Sequence, residues 1–210
     1  MVETFIVSMV VGAILGFVET IWKKWKYKKT IPEELVVPMS KTDEKMIEQS
    51  QQIIKEFFGD NIYETIGDMK NIERIQAMAD FADCLVKQYG LDTDVDIYVD
   101  EENNCGQYSK KDNKATFNIS MLIKADKTDE YFKYCVNTTM DTILHELRHA
   151  VQYKAIDEEG FWNVDEATRN QWAKNYDNYI SPGVDFKGYS EQPVEADAIT
   201  FAALVMEGVA

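Results

Sequence analysis

The sequence predicts an α+β fold in which helices come first, a short mixed sheet follows, and further helices carry the chemistry. Three observations lead there. Apolar residues recur at helical spacing before residue 90 and again after residue 130, and short alternating runs lie between them. Two of those runs flank a turn signal at Lys111-Asp112-Asn113. With 210 residues, 45% hydrophobic and 12% aromatic, the chain can build one compact domain with a sizeable core and carry a short appendage besides.

The appendage is N-terminal. Phe5 to Val18 contains no charge, and Thr4 to Trp22 would span about 28 Å as a helix, close to the thickness of a bilayer core. Trp22, Trp25 and Tyr27 follow among Lys23, Lys24, Lys26, Lys28 and Lys29, a pattern suited to a membrane interface. Glu3 precedes the apolar run and the lysines follow it, the reverse of a cleaved signal peptide. Residues 1–29 are therefore expected to form a membrane-anchor helix, with the rest of the chain on the cytoplasmic side. Ser8, Gly12 and Gly16 recur every four residues and offer a small-residue face for weak self-association. Residues 30–45, with Pro32 and Pro38 and no sustained periodicity, read as a linker.

The domain proper is expected over residues 46–210. Met46 to Phe58 has a helical pattern, and Asp68 to Tyr89 gives a second helix with Ile72, Ile75, Met78, Phe81, Ala82 and Leu85 on one stripe, ended by Gly90. Val95 to Val99 alternates as a half-buried strand does, and Gly106–Tyr108 and Ala115–Ile119 form a hairpin about residues 111–113. A long helix follows from about Glu130 to Tyr153, then an amphipathic piece from Val164 to Tyr179. Ser181-Pro182-Gly183 breaks the chain, and Pro193 opens a last helix to Glu207.

Charge and cysteine content exclude some functions. Residues 1–30 carry five lysines against Glu3 and Glu19, so the net −15 of the chain leaves about −18 on the remainder, which repels phosphate backbones and argues against a nucleic-acid partner. Cys84, Cys105 and Cys135 are odd in number and widely spaced, which excludes a CxxC zinc knuckle and suits reduced, inert thiols.

The strongest chemical signal lies in the long helix. The only two histidines of the chain, His145 and His149, stand four residues apart with Glu146 directly after the first. At that spacing both imidazoles share one helix face and can reach a single metal ion, Zn2+ by their chemistry. Glu146 is then placed to act as a general base on a zinc-activated water. Ile143, Leu144, Leu147, Ala150 and Val151 would bury the helix. No histidine remains for a third ligand, so a carboxylate or an external group must serve. Glu195, in the first turn of the last helix, is preferred over Glu191 and Asp197, and Ala198, Phe201, Ala202 and Val205 would hold that helix against the first. Tyr189, with Tyr153 as second choice, is the candidate for steadying an oxyanion. Arg148 is expected in a salt bridge. Asn118 to Ser120 is a candidate edge along which a peptide substrate could add as a strand.

His145-Glu-x-x-His149 followed by Glu195-x-Asp197-Ala198-x-x-Phe201-Ala202 resembles the ImmA/IrrE-type gluzincin metallopeptidases. The resemblance covers about 70 residues and implies a zincin-like domain, a zinc ion on His145, His149 and Glu195, Glu146 as catalytic base, and a protein or peptide substrate. Three residues depart from the family pattern: Arg148 stands where a small residue is usual, Asp197 where the family has a second Glu, and Glu207 where it often has Pro.

Overall fold

A computed structural model describes residues 37–101 and 105–209. The expected anchor over 1–29, including Ser8, Gly12 and Gly16, lies outside the described residues, as do residues 30–36 of the expected linker. Among the described residues no helix is long and apolar enough to cross a membrane.

Helix α1 (Lys41–Phe58) starts five residues before the apolar pattern that announces it. The cause is a polar cap. Ser40 Oγ accepts from Asp43 N at 3.2 Å, and Asp43 Oδ2 accepts from Ser40 N at 3.0 Å, so the first-turn donors are satisfied reciprocally. The helix thus begins inside the stretch expected as linker, and Val37 N donates to Thr200 Oγ1 on the last helix.

The helix expected from Asp68 to Tyr89 is α3 (Asn71–Gln88), and a short helix that the sequence does not announce, α2 (Ile62–Asp68), precedes it across an extended Met69. The buried stripe also differs. Ile72 is 69% exposed, whereas Arg74 is buried, and its guanidinium donates to the carbonyls of Ile66, Gly67, Leu122 and Ala125. These carbonyls lie at the C-terminal ends of α2 and of α4 (Ser120–Lys124), where backbone acceptors lack partners within their own helix.

Strands β1 (Asp94–Tyr98), β2 (Gly106–Ser109) and β3 (Lys114–Asn118) form a mixed sheet in the order β1-β3-β2. The hairpin pairs Tyr108 with Ala115, and β1 runs parallel to β3 with Ile97 opposite Phe117. Asn113 takes the positive φ of the turn, 46°. Because β3 is the central strand, Asn118 to Ser120 offers no free edge, which corrects the expected peptide-binding edge. Among the described strands the outer ones are β1 and β2. Gly106 on β2 lies hard against the long helix, since a Cβ there would meet Thr142 Cγ2 at 2.7 Å and Thr116 O at 3.1 Å.

Helix α5 (Glu130–Asp157) runs through the domain, capped by Asp129, whose side chain accepts from Tyr131 N. It is followed by α6 (Glu166–Asp177), α7 (Phe186–Glu191) and α8 (Pro193–Glu207), the last beginning with Pro193 as expected. α8 packs along α5 more extensively than any other pair of elements packs. Ala198, Phe201, Ala202 and Val205 are fully buried there, as are Ile143, Leu144, Leu147 and Val151 on the facing helix. The α+β class is as expected, with helix predominating over a three-stranded sheet.

Candidate metal centre

The apolar shoulders of α5 sink its middle turns into the core, which carries His145 and His149 inward with them: they are 6% and 8% exposed. α8 approaches closely because Ala196, Ala198 and Ala202 have little side chain, and it brings Glu195, wholly buried, to the histidine pair. His145 Nε2 lies 3.1 Å from His149 Nε2, and each imidazole faces its own carboxylate oxygen of Glu195 at 3.2 Å. Among the described residues these three form a group of potential ligands with donor atoms within 4.8 Å of one another. Ligands of a tetrahedral zinc at its usual bond lengths stand about 3.3 Å apart.

The donor set fits such an ion in a second respect. Glu195 Oε1 accepts a hydrogen bond from Tyr179 Oη at 2.7 Å, but Glu195 Oε2 is buried and accepts none. A buried carboxylate oxygen without a donor is costly unless a cation meets it. In the metal-free chain a charged His149 offsets the same carboxylate. Burial opposes a charged His149, yet the adjacent Glu195 outweighs it and raises the His149 pKa to about 9. Burial likewise opposes charge on Glu195, and the two imidazoles hold its carboxyl well below the usual range.

The other sequence-predicted residues are placed as follows. Glu146 is half-buried, and its Oε2 accepts from Tyr108 N on β2 at 2.9 Å. Tyr189, partly buried on α7, interacts with both Glu195 and Tyr179; burial, followed by the charge of Glu195, holds its hydroxyl well above the ordinary phenol range. Tyr153 stacks on Tyr176 with ring centroids 3.9 Å apart. Glu191 is exposed and pairs with Lys187. Asp197 turns away from the histidines to take a two-point contact from Arg148, at 2.7 and 2.9 Å. Arg148 is 1% exposed and also reaches Asp43 at 2.7 Å.

Three contributors carry no motif. Tyr179 follows α6 and bonds Glu195, Tyr176 lies 3.2 Å from His149 Nδ1, and Gln152 lies 2.8 Å from the same nitrogen. The one available signal was spacing: Gln152 is one turn beyond His149, and Tyr176 and Tyr179 are three apart. An open groove of about 590 Å³ lined by Asn61, Glu64, Asp68, Lys127 and Asp129 shares no residue with this cluster.

Comparisons of the chain with protein-family models, with curated proteins and with solved structures find no match.

Proposed function

We propose that the chain is a zinc-dependent metallopeptidase of the gluzincin type, similar in its two motifs to the ImmA/IrrE-like enzymes and hydrolysing protein or peptide substrates. The observation that carries this reading is the convergence of His145, His149 and Glu195 into one buried donor set with an unmet carboxylate oxygen. A bound zinc ion supplies Lewis acidity and brings the pKa of a coordinated water to about 7. Glu146, next on the helix to His145, takes the proton of the attacking water and passes it to the leaving amine. Tyr179 spends its one hydroxyl proton on Glu195 Oε1, whereas Tyr189, whose hydroxyl is kept protonated by burial and by the Glu195 carboxylate, is the candidate donor for a developing oxyanion.

One observation favours a second reading, a zinc-stabilised binding module without turnover: the Glu146 carboxylate is already held by the Tyr108 N–H. Two variants separate the readings. On the first, purified protein holds about one zinc per chain, Glu195→Ala loses it, and Glu146→Gln keeps the metal but loses peptide hydrolysis. Metal uptake without hydrolysis by the wild type, on a broad panel of peptides, would establish the second. Absence of metal would remove both.

The apolar segment and its lysines lead us to propose further that the N-terminus tethers the domain to the cytoplasmic face of a membrane. The full chain should then sediment with membranes, and a chain starting at residue 37 should stay in the supernatant. Equal partition of the two would dismiss the tether.

A further inference from the structure

Resting on the metal-centre reading above, we infer that Gln152 is a positioning residue that fixes the tautomer of His149 and so turns the lone pair of Nε2 toward the metal. Gln152 is wholly buried one turn beyond His149. Its Nε2 donates to Val194 O at 2.9 Å and to Asp197 Oδ2 at 2.7 Å, and both of these atoms can only accept. The amide therefore has one workable orientation. Flipping it would set its oxygen against a carbonyl and a carboxylate. Its Oε1 is thereby committed to His149 Nδ1, 2.8 Å away, and since an amide oxygen cannot donate, the imidazole must. Tyr176 Oη adds a second donor to the same oxygen at 2.5 Å.

The proton of a neutral His149 is thus held on Nδ1, and Nε2 is left bare on the side where His145 and Glu195 converge. The orientation reaches back two further residues. Asp197 can hold the Gln152 amide because the Arg148 guanidinium fixes both of its oxygens. Arg148 and Asp197, two of the residues that depart from the family pattern, therefore act together behind the ligand.

The test uses the full chain and zinc alone, and it benefits from there being only two histidines. In the zinc-loaded wild type, proton–nitrogen correlation spectra of the imidazoles should show His149 as the Nδ1–H form with a slowly exchanging proton. Gln152→Met, which keeps length but cannot accept that proton, should lose the protected signal and bind zinc about 10- to 100-fold more weakly in chelator competition. Its far-UV circular dichroism should stay that of the wild type. An Nε2–H tautomer in the zinc-loaded wild type overturns the inference, as does unchanged zinc affinity in Gln152→Met; either result leaves the metal centre standing. A wild type that takes up no zinc overturns both. Should Gln152→Met fail to fold, the wild-type tautomer decides alone.

Discussion

On the proposed metal-centre reading, His149 carries a proton in the metal-free chain and gives it up to a cation in the loaded one. Its pKa, raised to about 9 by Glu195 against the opposing pull of burial, means that a metal ion must displace a proton at neutral pH. Zinc affinity should therefore strengthen as pH rises from 7 to 9, with proton release that titration calorimetry in buffers of different ionisation heat can count. In the metal-free chain the sign is reversed. A raised folded pKa gives stability that is complete below the ordinary histidine value near 6.5 and lost as pH climbs through about 9. Chelator-treated protein should melt at lower temperature at pH 9.5 than at pH 6.5, and a flat profile would show that the imidazole and Glu195 are not coupled. Residues of this kind differed in how legible they were. His145, Glu146 and His149 announce themselves by spacing, and Glu195 by elimination and helix position. Tyr179 does not, because the loop that aims its hydroxyl at Glu195 is set by Gln192, which bonds both N and O of Ile180, and nothing local in the sequence encodes that contact.

Helices α1, α5 and α8 meet at Arg148. Its guanidinium bridges Asp43 on the first and Asp197 on the last and lies over the ring of Phe201, with its centre 5.0 Å from the ring centroid. Removing one partner of a buried ionic group strands the others, so Arg148→Met should cost about 3–5 kcal/mol in urea unfolding. A loss below about 1 kcal/mol would mean that water reaches the two carboxylates. Asp43 gives the same junction a pH signature. Burial alone would raise its pKa, but Arg148 and Ser40 hold it below the ordinary carboxyl value. A lowered folded pKa contributes stability above that ordinary value and loses it as pH falls through the folded one. Asp43→Asn should thus flatten part of the acid limb of the stability curve without changing its alkaline side. The start of α1 was hidden from a reading based on apolar periodicity because the helix is initiated by a polar cap. α2 was hidden for a different reason: seven residues are too few to show a period, and its C-terminal carbonyls are closed by Arg74 from the next helix.

At the scale of the whole molecule, the order β1-β3-β2 could not be read from the chain. Only the β2–β3 hairpin is local; the parallel pairing of β1 with β3 closes through distant residues, and it is this pairing that makes β3 central. The domain limits follow packing in the same way. Met46, Ile54 and Phe58 of α1 are buried in the common core, and Ser40 and Asp43 secure the helix that carries them. A chain starting at residue 37 should keep its unfolding midpoint, while one starting at residue 46 should lose about 3 kcal/mol or more with the Asp43–Arg148 contact. Equal denaturation midpoints would return residues 40–45 to the linker. Gly106 bears on how such a protein can change over generations. With no room for even one methyl group between β2 and α5, substitution at that position cannot widen or narrow the gap beside Glu146 without displacing the strand. Natural variation is thereby kept off this face of β2, whereas an exposed position such as Val184, 83% accessible, can change without any such displacement.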